Sequence, residues 1–227
     1  MAVRKKTKSM NVHPLFAIVA ILLVGLVGAA AISSTSSPAP NLAKVSTVST
    51  AGSQNFLVVI LDDVGVEQIA AYAEGANPVN TPTINQLAAE GMLFRNAYSN
   101  PVCSPTRSNL QTGRYAFRHG IGHIILPTTG PALSHSELTL PEMLDVGTNG
   151  KYAHALFGKW HLGNNTNGYH DSPNLAGYSH YSGNLFNIGK IIGTTYFKWE
   201  KTVDGSFSQK TGYLTTDTVD DAIAWTG

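Results

Sequence analysis

The sequence predicts an α/β fold in which strands alternate with helices. Two observations carry that expectation. A continuous apolar run, "NFLVVIL" at 55–61, reads as a strand buried on both faces, as in a parallel sheet. Segments with helical spacing then alternate with further short apolar runs. The composition supplies a core for such a fold: 43% of the 227 residues are hydrophobic and 13% are charged, too little charge for a disordered chain.

The elements follow in order. Four of the 15 basic residues, Arg4, Lys5, Lys6 and Lys8, precede an uncharged run at 15–32, "LFAIVAILLVGLVGAAAI". Residues 1–32 therefore read as a signal peptide or a membrane anchor, which places the protein in an exported compartment, periplasmic or extracellular, with 15–32 as the segment that would hold it to a membrane. A Ser-, Thr-, Ala- and Pro-rich stretch at 33–54 reads as a flexible linker, so the folded body is expected at 55–227. With the basic tract set aside, the body is mildly acidic, and its charge distribution makes no nucleic-acid surface. Within the body, "TPTINQLAAEGMLF" predicts a helix with Thr81 or Thr83 as cap and Gly91 as stop. "MLFRNAY" at 92–98 predicts a second strand. A further helix is expected at about 105–112, a short one over "LTLPEMLDVG", and a third strand over "KYAHALFG". From 164 to 210 the chain is rich in Asn, Gly, Tyr and Ser and reads as irregular, with short strands near 186–192 and 195–203 and a surface that either contacts a sugar or is plain loop. "YLTTDTVDDAIAW" predicts a closing helix capped near Thr215 or Thr216, with Leu214, Val219, Ala222 and Ile223 at helical spacing.

Three stretches carry chemistry. Asp62 and Asp63 stand side by side after the first apolar run. Adjacent carboxylates repel unless a cation compensates, and their oxygens suit hard ions, Ca²⁺ or Mg²⁺; the other reading is a turn in which Asp caps the next segment. The second stretch is "NPVCSPTRSNLQTGRY" at 100–115, which holds the single cysteine, Cys103. One cysteine makes no internal disulfide, so it is either a buried structural thiol or a functional one. Pro105 is expected at the first helical position, with Cys103 or Ser104 as cap, facing free backbone N–H groups and the positive helix end. Arg107 returns to the same face one turn later and suits an oxyanion. The Cys-x-x-x-Arg spacing is too short for the phosphate cradle of a thiolate phosphatase. The third stretch is "GKWHLG" at 158–163. If strand geometry persists through it, Lys159 and His161 share one face and Trp160 packs behind; lysine would bind an oxyanion and histidine would move protons. An exposed strand end with no chemical role is the alternative.

Taken together, these residues resemble the formylglycine-dependent sulfatases. Cys103-Ser104-Pro105-Thr106-Arg107, continuing to Leu110 and Thr112-Gly113-Arg114, is similar to that family's Cys-x-Pro-x-Arg signature with its Leu-x-Thr-Gly extension. "LDDVG" resembles its first metal-ligand segment, "GKWHLG" its second signature, and "GYSHYSG" at 177–183 the Gly-aromatic stretch that follows. The resemblance spans about residues 55–185. It implies an alkaline-phosphatase-like α/β sandwich with a mostly parallel central sheet. It also implies oxidation of Cys103 to formylglycine by a maturation enzyme, and Ca²⁺ or Mg²⁺ held by Asp62, Asp63 and the modified Cys103. Arg107 would hold the hydrated aldehyde, Lys159 would bind it and the sulfate, and His161 would assist proton removal. The implied substrates are aryl or carbohydrate sulfate esters.

The family's later metal ligands, an Asp and an Asn or Gln, have no counterparts before Gly227, nor do its later His and Lys; His170 and His180 lie too close to the second signature. The chain is therefore expected to be the N-terminal, truncated part of a sulfatase catalytic domain, incomplete at its C-terminus and with little activity alone. Two other functions stay open: hydrolysis of phosphate or phosphonate esters on the same scaffold, and an inactive exported module that binds sulfated glycans.

Overall fold

The computed structural model describes residues 55–189, 191 and 193–227. The expected export segment and linker lie outside the described residues. Among the described residues no helix is long and apolar enough to cross a membrane. The chain divides into two units, one ending at Ser99 and one beginning at Asn100.

In the first unit, Leu61, Val64, Ile84 and Leu93 pack around buried Ile69 and Tyr72. Helix α1 (Pro82–Glu90) has Thr81, one of the two expected caps, at its N-cap position, Pro82 in the first turn and the expected Gly91 as its stop. The expected strand at 55–61 does not form, and neither does the one at 92–98. Phe56 and Leu57 are 57% and 53% exposed, and Met92 and Tyr98 are 73% and 75% exposed. Branched apolar residues favour a strand only where a pleated neighbour receives them, and no ladder forms on either run.

The second unit carries the sheet. Helix α2 (Cys103–Thr112) is followed by a single turn, α3 (Ala116–His119), and by α4 (Leu140–Thr148). A capping box between Thr139 and Glu142 starts α4, as a Thr-x-x-Glu spacing allows. Strand β1 (Ala155–Phe157) leads through a crossover containing α5 (Ser172–Leu175) to β2 (His180–Gly183). β3 (Lys198–Val203) and β4 (Ser206–Thr211) then form a hairpin. The order is β1-β2-β3-β4. β1 and β2 are parallel, with Leu156 opposite Tyr181, whereas β2–β3 and β3–β4 are antiparallel. The described sheet is thus mixed, with one parallel pair, rather than mostly parallel.

Two stretches differ from the sequence expectation. The region from 164 onward is largely core: Tyr181, Leu185 and Phe186 are buried with Ile121, Trp160 and Leu162, and Asn164 and Asn167 are buried with their amides bonded to the backbone. No strand forms over 186–189, whereas the strand expected near 195–203 forms as β3 and makes a hairpin with β4 over 198–211. Its turn is Asp204-Gly205 with both φ values positive (44° and 81°), as a two-residue hairpin connection requires. The closing helix α6 (Leu214–Thr226) forms with Tyr213, not Thr215 or Thr216, at the N-cap. Its expected apolar positions Val219 and Ile223 stay exposed. Polar contacts dock it instead: the buried Lys201 of β3 pairs with Asp217 and Asp221, and Ser182 of β2 donates to Asp221. Burial alone would lower the Lys201 pKa, but the two carboxylates outweigh it and raise it.

The parallel β1–β2 pair brings backbone closest at Gly183. A Cβ there would lie 1.9 Å from the carbonyl oxygen of Gly158, so only glycine fits. Gly183→Ala is expected to lower stability by about 1–3 kcal/mol, the range for overpacking a filled site, read as a lower urea midpoint at unchanged m. A second outcome concerns pH. Burial would raise the Asp204 carboxyl, yet hydrogen bonds from the Tyr181 N–H, Asn174 and His180 hold it below the usual carboxylate range. Its contribution is therefore present above the unfolded carboxylate pKa and lost as pH falls through the folded one. Asp204→Asn should flatten the loss of thermal stability between about pH 5 and pH 3.

Candidate active site

Helix α2 begins two residues earlier than the proline suggested. Val102 is the N-cap, with extended φ and ψ (−137° and 161°). Cys103, Ser104 and Pro105 are then the first three helical residues. Proline is tolerated at the third because none of the first-turn N–H groups has an intrahelical acceptor. Thr106 closes this start: its hydroxyl donates to the Asn100 and Val102 carbonyls, and the Asn100 N–H donates to it. Cys103, half-buried, thus stands where N–H dipoles converge.

The "GKWHLG" segment leaves the carboxyl end of β1, where open α/β sheets place their ligand sites. Strand geometry does not persist through it. Gly158 has φ +88° and His161 has φ +57°, so the backbone turns left-handed twice. For a residue with a Cβ that conformation costs roughly 1–2 kcal/mol. The surroundings hold it: the N–H groups of Gly158, Trp160 and His161 donate to Ser182, Asn184 and Leu185. Trp160 packs inward as expected and is 1% exposed, and its indole N–H donates to Ser172 Oγ.

This double turn brings His161, not a strand face, to the start of α2. Cys103 Sγ lies 3.1 Å from His161 Nδ1. His161 Nε2 lies 3.1 Å from the Ile125 carbonyl oxygen, which only accepts. The proton of the neutral ring is therefore on Nε2, and the Nδ1 lone pair faces residue 103. Phe186 meets the ring edge to face, with centroids 6.1 Å apart. Arg107 donates to the Lys159 carbonyl at 2.5 Å, so helix and turn are tied at two points. Lys159 is half-buried beside them. Beneath the turn, the fully buried Tyr181 donates to the Gly158 carbonyl, and burial keeps its phenol neutral by raising its pKa, against a smaller opposing pull from Arg107.

Four of the sequence-predicted site residues, Cys103, Arg107, Lys159 and His161, are thus brought together within one unit. Asp62 and Asp63 lie in the other, on an exposed turn in which Asp63 has φ +58°. Their oxygens are the donor chemistry of a hard cation. Among the described residues no group of three or more His, Cys, Asp or Glu is placed to hold a metal ion. Sequence reasoning missed Ser104 and Ile125, which hold the histidine. Ser104 was read only as a candidate cap of the helix, not as a partner of the histidine, and a backbone carbonyl such as that of Ile125 leaves no mark in a sequence.

A mixed α/β layer whose helix start faces a turn at a strand's carboxyl end belongs to the alkaline-phosphatase-like class. Within that class the assignment is narrower: residues 54–226 match the Sulfatase family, and the chain belongs to it. Among curated relatives, arylsulfatase J of Mus musculus is 42% identical over 118 residues, 50% of this chain and 19% of that protein. N-acetylgalactosamine-6-sulfatase of Homo sapiens is 38% identical over 118 residues, 48% of this chain and 22% of that protein. The chain thus spans about a fifth of the length of these relatives. Among solved structures, a protein in complex with its substrate D-glucosamine-2-N,6-O-disulfate superposes with a TM-score of 0.54 at 25% identity, covering 72% of this chain and 29% of that one.

Removing the Arg107 side chain takes away a charged hydrogen bond to a buried turn. Arg107→Ala is expected to cost about 1.5–3 kcal/mol, measured by urea unfolding, with Arg107→Lys recovering only part because a single ammonium does not reproduce the guanidinium fork.

Proposed function

We propose that this chain carries the nucleophile and proton-handling part of a sulfuric ester hydrolase acting on aryl or carbohydrate sulfates. The observation that supports it most is the placement of the His161 Nδ1 lone pair 3.1 Å from Cys103 Sγ, with the ring proton directed away at Ile125. Oxidised by a maturation enzyme to formylglycine and hydrated, residue 103 would supply an oxygen nucleophile for the sulfur of the ester, whose S–O bond breaks as the alcohol leaves; loss of the proton of its second hydroxyl would then expel sulfate and regenerate the aldehyde, splitting one difficult step into two.

The chain's own residues supply the rest. His161 Nδ1 is within reach of a hydroxyl on residue 103 and takes its proton; the Nε2 proton stays on the ring, donated to the Ile125 carbonyl throughout. The N–H groups at the start of α2 favour negative charge at that position. Arg107 holds the helix start against the turn and sets a fixed positive charge beside it. Lys159 adds a second cation for the sulfate oxygens. Asp62 and Asp63 carry the oxygens that would hold Ca²⁺, with Mg²⁺ as the alternative, and such an ion would supply positive charge for an oxyanion. The apolar run at 15–32 would direct export, and the maturation enzyme would be the protein partner met on that route.

The first test is mass spectrometry of the peptide containing Cys103, from protein made in a host that carries the maturation enzyme. Conversion of the thiol to an aldehyde is the expected result. An unconverted thiol in that host counts against the reading. Parallel assays with nitrophenyl sulfate and nitrophenyl phosphate then separate the ester classes. Little turnover of the sulfate is expected from the chain alone, and what there is should be abolished in Cys103→Ala and reduced about 10²-fold or more in His161→Ala; a preference for the phosphate would reassign the substrate.

A further inference from the structure

The orientation of His161 depends on a residue so far unassigned. Ser104 is completely buried (0% exposed). Its hydroxyl donates to the His161 carbonyl at 2.9 Å and accepts from the Ile125 N–H at 3.1 Å. The Ile125 carbonyl in turn receives the His161 ring proton at Nε2. One hydroxyl therefore joins both ends of the histidine: the backbone directly, and the ring through the peptide units of Ile125. A hydroxyl has one proton and two lone pairs, and here the proton and a lone pair each serve a backbone group. The backbone that it holds is the left-handed one at φ +57°, which a residue with a Cβ leaves unless its surroundings hold it there.

We propose that Ser104 is a positioning residue that sets the tautomer and direction of His161. The inference rests on the functional reading above for its consequence, but not for its geometry. Without the hydroxyl, the buried His161 carbonyl and Ile125 N–H both lose their partner, and unsatisfied buried groups move to find new ones. Movement of Ile125 takes its carbonyl away from Nε2. The ring then has no reason to keep its proton there, and Nδ1 no longer presents a lone pair to residue 103. Alanine at 104 would preserve helix α2, since it is a good helix former; threonine would preserve the hydroxyl.

The chain's single cysteine makes the test specific. Protein made without the maturation enzyme keeps Cys103 as a thiol, so an alkylating reagent such as iodoacetamide reads that residue alone. Nitrogen-15 NMR of the imidazole reads the tautomer of His161 directly. In the unsubstituted chain, the Nε2–H tautomer is expected. In Ser104→Ala, a detectable Nδ1–H population and a severalfold slower alkylation at fixed pH are expected, with Ser104→Thr restoring both. A folded Ser104→Ala protein that keeps the original tautomer and alkylation rate would overturn the proposal. So would an Nδ1–H histidine in the unsubstituted chain, a measurement that decides the matter even where Ser104→Ala does not fold. The functional reading fails separately: an unconverted thiol in a host with the maturation enzyme, beside an Nε2–H histidine, would sink the sulfatase assignment of the site and leave the positioning role standing.

Discussion

The left-handed backbone at His161 is the constraint on which the candidate site depends. A strand continued through residues 158–161 would carry the histidine along the sheet, away from helix α2. The chain instead turns at Gly158 and again at His161. Three conditions make the second turn tenable. Gly183 lets the Gly158 backbone come within a distance that no Cβ permits. The Leu185 carbonyl takes the His161 N–H. Ser104 takes the His161 carbonyl. A cost of roughly 1–2 kcal/mol for the left-handed residue is comparable to the gain from one or two buried hydrogen bonds. The turn therefore persists only with those partners in place, a common arrangement where strain accompanies function.

This explains why the sequence pointed to four residues that the structure brings together, Cys103, Arg107, Lys159 and His161, but not to how they meet. "GKWHLG" pointed to Lys159 and His161 through the alternation of a strand, and that geometry is absent. Glycine at both ends of the hexapeptide was the better signal, because it marks backbone that must turn or pack closely. The inward placement of Trp160 was legible, since a large apolar ring after a buried strand has nowhere else to go. Cys103 and Arg107 were legible because one helical turn is a fixed distance. Ser104 and Ile125 were not, because their contribution is a hydroxyl between two peptide groups and a main-chain carbonyl, and neither depends on a recognisable side-chain pattern.

The fold divides along the same line. Helices with local start and stop chemistry, such as α1 between Thr81 and Gly91 or α4 from its capping box, were predicted close to their observed limits. Strands depend on partners far along the chain. The runs at 55–61 and 92–98 have the composition of strands and no ladder, whereas Lys198–Thr211 lacks an apolar alternation and forms a full hairpin, of which only the first strand, near 195–203, was expected. The Asp204-Gly205 pair was the usable local signal for the second strand. The closing helix shows the same dependence: its apolar spacing predicted the helix, but not its attachment through an ion pair network centred on Lys201.

Helix α2 carries this logic into the site itself. Its buried face is polar: Ser104, Ser108, Gln111 and Thr112 are all inside. Apolar burial is non-directional and would leave such a helix free to slide or rotate by small amounts. Hydrogen bonds are short and angular, and this face is made of them. Ser108 donates to the Ser104 carbonyl and Thr112 to that of Ser108, each hydroxyl occupied within the helix. Gln111 accepts from Tyr178, whose phenol burial pushes up to about 12, so the donor stays protonated at any working pH. Ser104 alone on this face spends its hydroxyl on the facing turn. The helix is thus tied at its far end by the Gln111–Tyr178 bond and joined to His161 at its near end, one residue from Cys103. A displacement of 1 Å between a nucleophile and its base costs orders of magnitude in rate. A polar interior, less favourable than an apolar one for stability alone, is the kind of packing that prevents such a displacement.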